Sequence, residues 1–132
     1  FAPNYYNELS VGIDFTARDV QEKLKLNQEP WEKAKAFDGS AAIGNFINKS
    51  EFEDIQNIDF TLLVNNNIQQ LGNTKNMIFS INQIISYISK YITLKKGDLI
   101  FTGTPSGVSQ INKDDILKGF IRDKKLLEIK IK

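Results

Sequence analysis

Apolar residues recur along this chain at two different spacings. From Glu8 to Phe15 polar and apolar positions alternate loosely, with Leu9, Val11, Ile13 and Phe15 on one face, as in a half-buried strand. From Ile81 the spacing becomes helical, and Ile81, Ile84, Ile85, Ile88 and Ile92 fall on one stripe. Ser80 and Gln83 form a capping-box pair at its start, so a core helix is predicted from there to near Tyr91. Phe60–Val64 and Ile68–Leu71 read as strands joined at Asn65-Asn66-Asn67, because asparagine tolerates the positive φ of a hairpin turn. Ile116–Ile121 and Leu126–Ile131 read as a closing hairpin around Arg122–Lys125, after a turn at Asp114-Asp115.

The remaining segments are shorter. A helix over roughly Ala17–Leu26 directs Ala17, Val20 and Leu24 inward and places Arg18, Gln21 and Lys25 on a polar face. Thr16 stands as its N-cap, with Asp19 three residues on. Trp31 and Phe37 are expected to pack inside, with Lys35 and Asp38 in a loop ending at Gly39. Asn48–Asn57 is a polar excursion in which Glu51 and Glu53, spaced to share one face of a strand, are read as solvated.

Composition narrows the chemistry. The 132 residues suit one domain with a real core, and a formal net charge of +1 carries no electrostatic footprint of nucleic-acid binding. No apolar run approaches a membrane span and no signal-peptide pattern opens the chain, so no membrane partner and a cytoplasmic location are expected. With neither cysteine nor histidine, chemistry here falls to carboxylates, lysine, hydroxyls and backbone, a donor set that suits a hard cation such as Mg²⁺.

Two stretches concentrate such groups. In Gly97–Val108 a turn feeds the apolar run Leu99–Phe101, read as a buried strand, and then two glycines, a proline, Thr102, Thr104 and Ser106 follow. Such a loop exposes backbone N–H groups and lets the chain approach a ligand; the alternative is a tight structural turn. At the corner after Phe15, Asp14, Arg18 and Gln21 converge, which could hold a cation beside an anionic ligand. The alternative there is a capped helix carrying an Asp14–Arg18 surface ion pair of little energetic weight.

Four blocks in order, Gly12–Gln21, Pro30–Gly39, Gly72–Ile81 and Gly97–Val108, resemble the fumarylacetoacetate hydrolase family, in particular its acylpyruvase-like, oxaloacetate-decarboxylase-like and hydroxyhepta-dienedioate-isomerase-like members. The resemblance covers nearly the whole chain from Tyr5. It implies an α+β fold, a mixed β-sandwich roll with a few short helices, usually as a homodimer. It further implies a metal, Mg²⁺ or sometimes Mn²⁺ or Ca²⁺, with Asp14 as one of its ligands. Arg18 and Gln21 match residues lining the substrate and metal-water shell, Lys35 matches an active-site lysine, and Thr104 matches a threonine contacting a substrate oxygen. The catalytic roles then fall to Lys35 and Arg18, with Arg18, Gln21, Lys35 and Thr104 facing the substrate in the cavity that holds Asp14. The implied enzyme hydrolyses, decarboxylates or isomerises a 2-oxo or β-diketo acid, its metal stabilising an enolate when a C–C bond breaks or a proton moves.

In that family a Glu-x-Glu metal pair and a His-x-x-Glu lid dyad precede the block that begins here at Asn4, and neither occurs in this chain. Glu51-Phe52-Glu53 lies after the Asp14 block, in the wrong order for the metal pair. Residues 1–132 are therefore expected to be a single catalytic domain lacking its N-terminal part. The alternative function is a catalytically silent member of the fold that binds or supports.

Overall fold

The structure, a computed structural model, describes residues 2–132. Among these residues eight strands and three α-helices follow one another as β1 (Glu8–Leu9), β2 (Gly12–Asp14), α1 (Arg18–Leu26), α2 (Glu32–Lys35), β3 (Ala41–Ile43), β4 (Ile47–Asn48), β5 (Asp59–Val64), β6 (Asn67–Asn73), α3 (Ile81–Ile88), β7 (Ile116–Ile121) and β8 (Lys124–Lys130). The chain divides into two compact units, Gly12–Ile43 and the rest.

The larger unit is built on a four-stranded antiparallel sheet in the order β6-β5-β7-β8. Its first hairpin turns on Asn65 and Asn66, at φ of 50° and 68°, the geometry that asparagine was expected to supply. The Asn65 amide also donates to Asp115 at 2.7 Å. The Asn112 backbone N–H and Asn65 together hold the Asp115 carboxyl below its ordinary pKa. The turn and the start of β7 are thereby tied by charge-assisted bonds.

One hydrophobic cluster gathers Ile47, Phe52, Ile58 and Ile121; a second gathers Ala2, Ile81 and Ile85, and half-buried Leu9 and Ile55 pack against both. Alternation along β7 buries Leu117 (1% exposed) and Ile121, and Gly119 leaves room for Val11, whose Cγ1 would lie 2.7 Å from a Cβ placed there.

Helix α3 carries the full capping box: the Gln83 N–H donates to the Ser80 hydroxyl, and the Ser80 N–H donates to the Gln83 side chain. Its isoleucine stripe buries Ile81 and Ile85, but regular helix stops at Ile88 and Ile92 is 60% exposed. The stripe therefore outlasts the helix that the spacing predicts.

In the smaller unit β2 pairs antiparallel with β3, Ile13 opposite Ala42, and the ladder runs on as the Phe15 N–H donates to Ser40. Ala34 and Leu24 are its buried apolar anchors, and the Ala17 N–H bonds the Ala34 carbonyl. Helix α1 ends in a Schellman motif: the Gln28 N–H bonds Lys25, the Glu29 N–H bonds Leu24, and Gln28 takes φ 57° where glycine is usual. Trp31 and Phe37 are 48% and 41% exposed, against the sequence expectation. Trp31 instead offers its ring face to the Lys25 ammonium, 4.8 Å from the centroid.

Candidate active site

Strand β2 ends at Asp14, and the chain then turns through Phe15–Ala17 into α1. The alternation of β2 leaves Asp14 exposed while Ile13 is half-buried. The four-residue helix α2 ends at Lys35, and its ammonium reaches back to this corner. Lys35 Nζ donates to Asp14 Oδ2 at 2.7 Å and to Thr16 Oγ1 at 2.8 Å. Asp14 therefore pairs with Lys35, and the Asp14–Arg18 pair considered from spacing alone does not form. Sequence spacing gave no notice of this contact, because the partners lie 21 positions apart.

Thr16 departs from its expected role. The N-cap of α1 is Ala17, with no side-chain cap bond. The Thr16 hydroxyl accepts from Lys35 and donates, at 3.4 Å, to the Asp14 carbonyl oxygen. Lys35 is thus held by a carboxylate and a hydroxyl at once. With Lys35 and Asp14 side chains 36% and 49% exposed, the pair lies in solvent's reach and is open to an incoming ligand.

One turn into α1, Arg18 Nη1 donates to Gln21 Oε1 at 3.1 Å. Gln21 is the buried polar residue of the unit, 4% exposed, whereas Arg18 is exposed. The buried amide thus steadies one edge of a guanidinium whose other donors make no hydrogen bond among the described residues and can face an anion.

Thr104 belongs to the larger unit. The stretch Gly97–Val108 forms no strand: Leu99 and Phe101 are 51% and 44% exposed, and only Ile100 packs against the Ile81 cluster. Side chains from β6 hold the loop instead. Gln70 Nε2 donates to Thr104 Oγ1 at 2.9 Å and to the Pro105 carbonyl at 3.0 Å, and Gln69 Nε2 donates to the Gly107 carbonyl at 2.8 Å. No sequence signal singled out these two glutamines.

Asp14 Oδ2 is taken by Lys35, and among the described residues no hydrogen bond is made to its Oδ1. An oxygen of that kind suits a hard divalent cation. Among the described residues no three His, Cys, Asp or Glu side chains gather around one point, so Asp14 fits as a single ligand of such a site. Glu51 and Glu53 are exposed, and Glu51 lies in a 3₁₀ turn paired to Lys124.

The family model described as fumarylacetoacetate (FAA) hydrolase C-terminal matches residues 2–132. The chain is 42% identical over 131 residues to the mitochondrial oxaloacetate tautomerase FAHD1 of Mus musculus, covering 99% of this chain and 59% of the relative. It is 48% identical over 108 residues to the oxaloacetate tautomerase YcgM of Escherichia coli K12, covering 81% of this chain and 49% of the relative. The crystal structure of fumarylpyruvate hydrolase from Pseudomonas aeruginosa, in complex with Mn²⁺ and pyruvate, superposes with a TM-score of 0.91 at 32% identity, over 98% of this chain and 56% of that one. The chain thus spans 49% to 59% of the length of these three relatives.

Proposed function

The chain belongs to the fumarylacetoacetate hydrolase family, and from that premise we propose that it forms part of a divalent-metal-dependent enzyme that enolises a 2-oxo acid. Proton transfer between the keto and enol forms of an oxaloacetate-like acid is the leading reaction, because relatives matched at 42% and 48% identity bear the name oxaloacetate tautomerase. C–C hydrolysis is the second reading, favoured by the fold's match to a fumarylpyruvate hydrolase. The observation that carries the proposal is the ammonium of Lys35 held 2.7 Å from the carboxylate of Asp14 on an open strand-to-helix corner.

In this reading Asp14 is one ligand of a Mg²⁺ or Mn²⁺ ion, the others coming from substrate, water and residues outside 2–132. The ion, when bound, supplies Lewis-acid stabilisation of the developing enolate. The chain's own residues do the rest. Lys35 places positive charge where a substrate oxygen gains negative charge, and Thr16 keeps that ammonium in place once Asp14 is engaged elsewhere. Arg18, steadied by Gln21, binds a carboxylate of the substrate through its free donors. Thr104 donates to a substrate oxygen. A homodimer belongs to the same proposal, supported by apolar side chains left in water, among them Ile78 at 91% and Phe79 at 62% exposure.

Calorimetric titration of the metal-free intact protein with Mn²⁺ tests the reading. Wild type should bind, and Asp14→Ala should weaken binding by at least about tenfold, as loss of a charged ligand requires. Equal affinities in the two proteins would remove Asp14 from the metal site.

A further inference from the structure

We propose that Gln70 is a positioning residue that fixes the direction of the Thr104 hydroxyl, so that Thr104 turns its proton, and not a lone pair, toward the substrate. This rests on the reading of Thr104 as a substrate contact. The inference begins with the two ends of the Gln70 amide, one donor and one acceptor of nearly equal size, told apart by what they face. The end directed at the loop lies 3.0 Å from the Pro105 carbonyl oxygen and 3.5 Å from that of Ser106. Carbonyl oxygens only accept, so this end is the NH₂ group. Its nearest neighbour, Thr104 Oγ1 at 2.9 Å, must therefore accept as well. A hydroxyl accepting from an amide turns its own O–H elsewhere. Thr104 is exposed, and its free proton suits an acceptor such as a keto, carboxylate or enolate oxygen.

The backbone is shaped to deliver this contact. Neighbouring strand residues normally point to opposite faces, yet Gln69 and Gln70 both reach the 104–107 loop. The pairing of β5 with β6 explains how: Leu62 pairs with Gln70 and Leu63 with Ile68, so Gln69 is the extra residue of a β-bulge. A bulge re-aims a side chain that the regular pleat would send away. The loop is also seated tightly, since a Cβ on Gly107 would lie 2.5 Å from the Gln69 carbonyl oxygen. Two consecutive amides and one glycine thus set the register of Thr104 against β6.

The test is a double-mutant cycle in the metal-loaded intact protein with oxaloacetate as substrate. Thr104→Val and Gln70→Met should each lower kcat/KM about tenfold, mainly through kcat, and the double variant should fall little below either single one. Gln70→Glu keeps the side chain's shape but can only accept, so it takes the Thr104 proton for itself and should lose more activity than Gln70→Met. Without reference to turnover, the side-chain amide protons of Gln70 should shift in the NMR spectrum of Thr104→Val. Multiplying losses in the double variant, or a Gln70→Met enzyme within twofold of wild type, would overturn the positioning role while leaving Thr104 as a contact. An unaltered kcat/KM in Thr104→Val would instead strike the contact itself, and the role of Gln70 with it.

Discussion

Replacing Lys35 by methionine separates stability from chemistry. Methionine keeps the unbranched stem and removes only the charge and its three donors. The ion pair that is lost has side chains 36% and 49% exposed, and pairs in that setting contribute about 0–1 kcal/mol. The bond to Thr16 is also half in water, so unfolding in urea should move by no more than roughly 1–2 kcal/mol. Metal affinity should rise, because the ammonium at 2.7 Å no longer competes for the Asp14 carboxylate; relieving a pair worth about 1 kcal/mol corresponds to roughly fivefold. Turnover should fall by at least about 10²-fold, the usual consequence of removing a group that faces developing negative charge. Mn²⁺ titration, urea unfolding and the keto–enol conversion of oxaloacetate read the three quantities on one preparation. Turnover within threefold of wild type, or weaker Mn²⁺ binding, would refute the reasoning. The first would leave no electrostatic role for Lys35, and the second would mean that the ammonium and the metal do not share the carboxylate.

Two further predictions follow from the loop and from the extent of the chain. Gly107→Ala meets both a φ of 99° and the Gln69 carbonyl, whereas Gly103→Ala meets only a φ of 106° with open space around it, so the first should cost about 1 kcal/mol more in urea unfolding and lower kcat/KM further; equal costs would mean that the loop is not seated on β6. A protein limited to residues 2–132 should be inactive toward oxaloacetate, while one reaching the full length of the tautomerase relatives should be active and EDTA-sensitive; equal EDTA-sensitive rates would place the whole metal site within these residues, with Asp38, Glu51 and Glu53 as the next ligands to test.

What was legible in the sequence was what is local. The α3 capping box, the Asn65-Asn66 turn and the β7–β8 hairpin all depend on residues within a few positions of one another, and each forms as its pattern predicts. The loop at 97–108 was not legible, because an apolar triplet after Gly97-Asp98 looks the same whether or not a strand lies alongside to pair with it. Here none does, and the anchors are amides more than thirty positions earlier. Trp31 and Phe37 mislead for a related reason: aromatic character tells that a side chain gains from burial, not that the unit has a core large enough to receive it. In Gly12–Ile43 the buried apolar side chains are Ala34 and Leu24, and the rings lie over the surface.

Thr16 shows how a local rule gives way at this corner. A threonine before a helix with an acidic residue three positions on is a favoured N-cap, and a side-chain cap stabilises a helix by about 1 kcal/mol. The helix here forgoes that bond: Ala17 is the cap, and it makes no side-chain cap bond. The hydroxyl that could have capped α1 accepts from Lys35 at 2.8 Å. An ammonium half in water has little need of that oxygen for solvation alone, since water would supply the same bond. What the threonine adds is direction, an oxygen on a fixed backbone that stops the four-carbon stem of Lys35 from swinging into solvent. A chain that leaves a helix end uncapped while orienting one cation beside one carboxylate has traded stability for geometry. Such trades are expected where chemistry is done, so the broken rule at Thr16 itself supports the reading of Asp14 and Lys35 as a working pair.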